Sequence, residues 1–190
     1  MKILLTPHNP SWALQFNAAK SSLHQTLHGI PIVSIEHVGS TSIPGLLAKP
    51  VIDIDIVVPA SFMAATRAAL VAAGYTDMGD QGVPERIAFR GPGYGIEEVV
   101  GSPPGPSPSE VSRLREFREN TDVKNILLQD AELRNEYAEC KMRLVDEIED
   151  GGEGLGIDDY VRGKTGVLAK ILRKAGWTEE MLEEVRKVNE

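Results

Sequence analysis

The sequence predicts a mixed α/β fold in which helices flank a sheet and the C-terminal part is helical. Three observations carry this reading. Ile35–Ser42 reads as a strand running into a Gly-Ser turn. Lys49–Val58 reads as a second strand, in which Asp53 and Asp55 alternate with Ile52, Ile54, Ile56 and Val58. Beyond a Pro-rich stretch, the apolar residues recur at helical spacing. Successive side chains of a strand point to opposite faces, so the two acids share one face and the aliphatic residues take the other.

Taken in order, Asn9-Pro10 is a cap followed by Pro at the first helical position. Trp12, Phe16, Ala19, Leu23 and Leu27 then mark an amphipathic helix ending near Gly29. Residues 31–38 form the first strand, 39–49 the turn and connector, and 50–58 the acidic strand. Ser61 caps a second helix with Phe62, Ala65, Ala69 and Ala73 on one face, ending at Gly74. Tyr75–Met78, Arg86–Arg90 and Ile96–Val100 read as short strands. Gly101–Pro108 carries four prolines in eight residues, which excludes helix and central strand and leaves a loop. Helices are then expected over 109–119, 122–128 and 131–149, the last with Leu133, Tyr137, Cys140, Leu144 and Ile148 as its apolar stripe. Gly151–Gly156 breaks the pattern, and a final long helix starts near Ile157. The expected organisation is an α/β core over 1–108 with a helical part over 109–190 packed on it.

The chain has 190 residues, 42% hydrophobic and 25% charged, ordinary values for a globular protein with a sizeable core. No apolar run approaches the roughly 18 residues needed to cross a bilayer, and the N-terminal stretch reads as too short for a signal peptide. The single cysteine, Cys140, excludes an internal disulfide framework and a Cys-rich zinc site. A cytoplasmic location is expected. The net charge of −8 argues against nonspecific nucleic-acid binding, which calls for a basic face. A small nucleotide bringing its own metal is compatible with that balance.

Two neighbouring carboxylates repel each other and resist desolvation. A divalent cation is the simplest remedy, and Mg²⁺ prefers hard carboxylate oxygens plus substrate phosphates. The Gly39-Ser40 turn can offer backbone N–H groups to those phosphates. The bland alternatives are two solvated acids at a sheet edge and a turn that simply needs Gly. Other motifs fail. Gly163-Lys164-Thr165 resembles the end of a P-loop, but position 158, where the first Gly belongs, is Asp. Ser40 and Ser42 do not form a nucleophile elbow, because Pro44 replaces the second Gly. His24 and His28 lie four apart on a helix without further zinc ligands.

The run His37-Val-Gly-Ser-Thr-Ser-Ile-Pro-Gly45, then Ala48-Lys49-Pro50-Val-Ile-Asp53-Ile-Asp55, closely resembles the GrpB family of nucleotidyltransferase-like proteins. Gly82–Arg90, Glu136–Lys141, and Asp159-Tyr160 with Lys164 extend the resemblance over nearly the whole chain. It implies a minimal nucleotidyltransferase-like mixed sheet. The phosphate-holding turn would be Gly39 and Ser40, continued by Thr41 and Ser42, with Asp53 and Asp55 holding Mg²⁺. The family's His-x-His strand is replaced by Ile96-Glu97-Glu98-Val99, and its Phe-Arg-Asp segment by Val123-Lys124-Asn125. Glu98 (or Glu97) is the candidate third carboxylate; an exposed strand acid is the alternative.

Lys49 is either a phosphate contact or a surface lysine. Tyr137/Lys141 and Tyr160/Lys164 are i, i+4 pairs; each lysine either packs its stem and reaches water or aims its ammonium at an anionic substrate. Arg86 and Arg90 share a strand face, a spacing suited to phosphate recognition or to solvent. The expected activity is Mg²⁺-dependent transfer of a nucleotidyl group from a nucleoside triphosphate to an acceptor that the sequence does not name. The alternative is a non-catalytic nucleotide- or anion-binding regulatory protein on the same scaffold.

Overall fold

The structure is a computed structural model; it describes residues 3–80, 86–92, 110–112, 118–150 and 156–183. The strands are β1 (Ser34–Val38), β2 (Asp53–Val57), β3 (Thr76–Asp77), β4 (Ala88–Arg90) and β5 (Glu110–Ser112). They form one mixed sheet in the order β1-β2-β5-β4-β3, with β2 and β5 parallel and the other pairs antiparallel. The helices are α1 (Ser11–Thr26), α2 (Met63–Ala72), α3 (Arg118–Gln129), α4 (Ala131–Asp150), α5 (Ile157–Gly163) and α6 (Thr165–Lys174). Among the described residues, no helix is long and apolar enough to cross a membrane.

The start of α1 follows from Asn9, whose side-chain oxygen accepts the Ser11 N–H at 2.9 Å. The apolar face of the sheet, carrying Ile35, Ile54, Ile56 and Phe89, packs under Trp12, Leu23 and Leu27 of the α1 segment and Leu70 of α2. A second cluster joins Ile43 and Leu46 of the connector to Leu127, Leu133, Tyr137, Val167 and Ile171, so the C-terminal helices are seated on the connector between β1 and β2. Strand β1 is an edge of this sheet, and two lysines cap its carbonyls. Lys20 Nζ donates to Ile35 O at 2.9 Å and Lys124 Nζ to His37 O at 2.8 Å. Both occupy acceptors that would otherwise invite a further strand.

Two element expectations change. Residues 109–119 read as helix beyond the Pro-rich stretch. In the structure Glu110–Ser112 is a strand and the helix begins at Arg118. The slot between β2 and β4 decides this: Val111 pairs with both Ile54 and Phe89, and that lateral pairing outweighs a weak helical pattern. The single helix expected from Ile157 is interrupted at Lys164, giving α5 and α6. The Pro-rich loop and the strand expected at Ile96–Val100 lie outside the described residues.

Candidate functional site

Asp53 and Asp55 stand on the sheet face opposite the aliphatic core, in register with Val38 and Glu36 of β1. Asp55 is 2% exposed, and Asn120 of α3 donates an N–H to its Oδ2 at 3.2 Å. Asp53 is half-buried and lies against the Gly-Ser turn. Gly39 has φ +67° and ψ −176°, and a Cβ added there would fall 2.0 Å from Asp53 Oδ2. Only glycine fits both that backbone and that contact. The turn is closed by Ser42, whose hydroxyl and N–H donate to Gly39 O at 2.7 and 3.2 Å.

Thr41 and His37 brace the turn from behind. The Thr41 hydroxyl donates to Val51 O at 2.9 Å, so at its 3.1 Å contact with His37 Nε2 it must accept. A hydroxyl has one proton to give, so Nε2 carries the imidazole hydrogen. The ring stacks on Phe16 with centroids 4.9 Å apart. Burial, assisted by the charges of Lys124 and His8, lowers the His37 pKa to about 4, and the ring is neutral at pH 7. His37 is thus a positioning residue that ties the end of β1 to the turn and to the entry of β2.

Three lysines gather in front of the turn. Lys141 of α4 is 2% exposed; its Nζ donates to Ser40 Oγ at 3.2 Å and to Leu47 O, and stands 4.7 Å from the Tyr137 ring centroid. Lys164, at the α5–α6 break, stands 4.7 Å from the Tyr160 centroid, and Lys49 of the connector stands 5.4 Å from the same ring. Burial first, then Lys164 and Lys49, holds the Lys141 pKa down at about 7. Burial and Lys49 lower Lys164 to about 8, against an opposing pull from Asp53. Burial pushes Tyr137 up to about 12 although the Ser40 hydroxyl counters it, and raises Tyr160 as well, so both rings are neutral platforms. The i, i+4 spacing of each Tyr/Lys pair is what lays ammonium over ring.

On β4, Arg90 stands opposite Glu110 of β5, and Val111 opposite Ile54. Pairing across a sheet preserves the face, so the register puts Arg90 on the face of Asp53 and Asp55. Arg86 is buried just ahead of β4. Glu97 and Glu98 lie outside the described residues. Sequence reasoning missed Asn120. The Asn120 contact spans 65 positions in the chain and leaves no local signal.

Among the described residues, no group of three or more His, Cys, Asp or Glu side chains is placed to hold a metal. Two carboxylates on one face nevertheless fit Mg²⁺, which is commonly bound by one or two carboxylates and completed by substrate phosphates and water. Asp53 and Asp55 are the residues that would hold it.

Comparison with known proteins points to one family for the chain. The GrpB protein family model matches residues 2–174. UPF0157 protein BH1888 of Halalkalibacterium halodurans is 31% identical over 178 residues, covering 93% of this chain and 84% of its own length. UPF0157 protein YqkA of Bacillus subtilis is 37% identical over 91 residues, 47% of this chain and 26% of that protein. The crystal structure of conserved protein GrpB from Enterococcus faecalis superposes with a TM-score of 0.70, covering 92% of this chain and all of that one, at 23% identity; it supports the fold. The chain belongs to the GrpB family.

Proposed function

We propose that this protein is a Mg²⁺-dependent nucleotidyltransferase. The observation that carries the proposal is the contact of Gly39 with Asp53, which sets a strained glycine turn against one of two acids on a single sheet face. In this reading Asp53 and Asp55 hold Mg²⁺, which when bound neutralises phosphoryl charge. The Gly39–Ser42 turn holds the β- and γ-phosphates of a nucleoside triphosphate, with Lys49, Lys141 and Lys164 at the phosphate tail. Arg90, and Arg86 behind it, supply positive charge along the same face. An acceptor hydroxyl attacks the α-phosphorus in line, the bond to the bridging oxygen breaks, and pyrophosphate leaves. The third carboxylate that the sequence offers, Glu98, would take the acceptor's proton.

The test is pyrophosphate release from nucleoside triphosphates in the presence of Mg²⁺ and a metabolite extract. The reading requires release that disappears in Asp53→Asn and Asp55→Asn and falls in Glu98→Gln. Release that survives Asp55→Asn refutes it. A non-catalytic anion-binding protein on the same scaffold is the second reading, favoured by the two-acid donor set among the described residues. It requires Mg²⁺-linked nucleotide binding with no pyrophosphate release.

A further inference from the structure

The two acids of β2 are oriented by different means. A Cβ at Gly39 would fall 2.0 Å from Asp53 Oδ2, so that oxygen lies against the backbone of the turn. Asp55, 2% exposed, accepts the Asn120 amide N–H on its Oδ2 at 3.2 Å. Asn120 reaches it from α3, and α3 is tied down at further points. One turn along and on the same helix face, Lys124 Nζ donates to His37 O of β1 at 2.8 Å. Between these two, Asp122 Oδ2 accepts the Trp177 indole N–H at 2.8 Å, from the segment that follows α6. Leu127 lies in the core with Ile43 and Leu46 of the connector. The amide that meets Asp55 is therefore presented by a helix fixed to β1, to the connector and to the C-terminal segment.

A carboxylate that ligates a metal is itself oriented by outer hydrogen bonds, and losing such a partner typically costs about 10–100-fold in metal affinity. A donor on one oxygen also favours a cation held through the other oxygen alone. That one-oxygen grip suits Mg²⁺, which is small and demands near-ideal octahedral geometry. Ca²⁺ is larger and readily takes both oxygens of one carboxylate. We propose that Asn120 is a positioning residue that sets the cation specificity of the acid pair, holding Asp55 to a one-oxygen grip and so favouring Mg²⁺ over Ca²⁺. The proposal rests on the reading of Asp53 and Asp55 as the cation site and adds what selects the ion. Asp53 follows the same logic by another route, since the Gly39 backbone crowds its Oδ2. Asn120 acts through Asp55 and touches neither the ion nor the nucleotide.

The test is paramagnetic resonance of Mn²⁺ titrated into the full chain, followed by displacement of the bound ion with Mg²⁺ or Ca²⁺. In the wild type, Mg²⁺ should displace Mn²⁺ at a concentration at least about tenfold below that of Ca²⁺. Asn120→Ala should bind Mn²⁺ about tenfold more weakly and bring the two displacing concentrations together. Asn120→Gln, which keeps an amide donor, should restore part of the preference. Gly163→Ala is the control for stability alone, because it loosens the α4–α5 contact far from Asp55 and should keep the wild-type preference. An unchanged Mg²⁺ preference in Asn120→Ala overturns the proposal, as does an equal loss of preference in Gly163→Ala. Asp53→Asn separates this proposal from the reading beneath it. If wild-type Mn²⁺ binding is absent or survives Asp53→Asn, the acid pair is not the cation site and both fail. If binding needs Asp53 but Asn120→Ala leaves affinity and preference as they were, only the role of Asn120 fails.

Discussion

Gly39→Ala is the substitution whose cost can be worked most directly from the coordinates. The native φ of +67° with ψ −176° lies in a region that only glycine occupies readily, and forcing alanine into it costs about 1–3 kcal/mol. The new methyl would also stand 2.0 Å from Asp53 Oδ2, 2.8 Å from its Cγ and 3.0 Å from its Cβ. Those atoms cannot all give way without turning Asp53 off its rotamer, a further ~1 kcal/mol. The total is about 2–4 kcal/mol, read as a shift in the urea midpoint at constant slope. Gly29→Ala is the control. Its φ is +83°, but nothing lies within 4 Å of its added Cβ, so it should cost only about 1–2 kcal/mol. Because Asp53 must move in the first variant and not in the second, only Gly39→Ala should also lose Mg²⁺-linked nucleotide binding. Equal destabilisation by the two, with nucleotide binding intact in both, refutes the claim that Asp53 is seated by the turn.

The remaining predictions concern protons and packing. His37 has a folded pKa of about 4 against an ordinary value of 6.5, so the unfolded chain takes up its proton first as pH falls. Stability is complete above pH 6.5 and declines between 6.5 and 4 by roughly 3 kcal/mol from this group. Urea titrations of wild type and His37→Gln at pH 7 and pH 5 should show the acid-dependent loss shrinking in the variant. Removing Asn120 with Ala takes one donor from the buried Asp55 and should cost about 1–3 kcal/mol by the same denaturation assay. Gly163→Ala would set a methyl 2.2 Å from Leu144 Cδ2, and the α4–α5 contact should lose about 1–3 kcal/mol in thermal unfolding. Nucleotide binding should weaken as pH rises past about 7–8, where Lys141 and Lys164 of the ligand-free protein lose their protons. Burial sets this range first, followed by the charges of Lys49, Asp53, Cys140 and the two lysines themselves. Titration at pH 6.5 and 9 in buffers of different ionisation enthalpy should report proton uptake on binding at the higher pH.

Much of this was legible because the relevant physics is local. The alternation of Asp53 and Asp55 with isoleucines gives β2 and its two faces without any tertiary knowledge. The Asn9 cap and the Leu23/Leu27 periodicity give α1. The i, i+4 spacing of Tyr137 with Lys141 and Tyr160 with Lys164 puts each lysine beside its tyrosine on one helix face, but does not show that the ammonium lies over the ring. What the sequence concealed is long-range. Residues 110–112 take a strand because β2 and β4 leave a slot for them, and no pattern within the segment encodes that slot. The convergence of Lys49 on Tyr160, and of Asn120 on Asp55, depends on how the C-terminal helices seat on the Ile43–Leu46 connector. Only folding reveals that Lys49, an ordinary residue before a proline, shares a ring with Lys164.

The central claim is that the two acids of β2 and the glycine turn act as one nucleotide site. Titrating the protein with a non-hydrolysable nucleoside triphosphate, with and without Mg²⁺, in wild type and Asp53→Asn tests it most directly. The account predicts binding that Mg²⁺ strengthens at least tenfold in wild type and leaves unchanged in the variant. An equal Mg²⁺ effect in both proteins, or none in wild type, contradicts it.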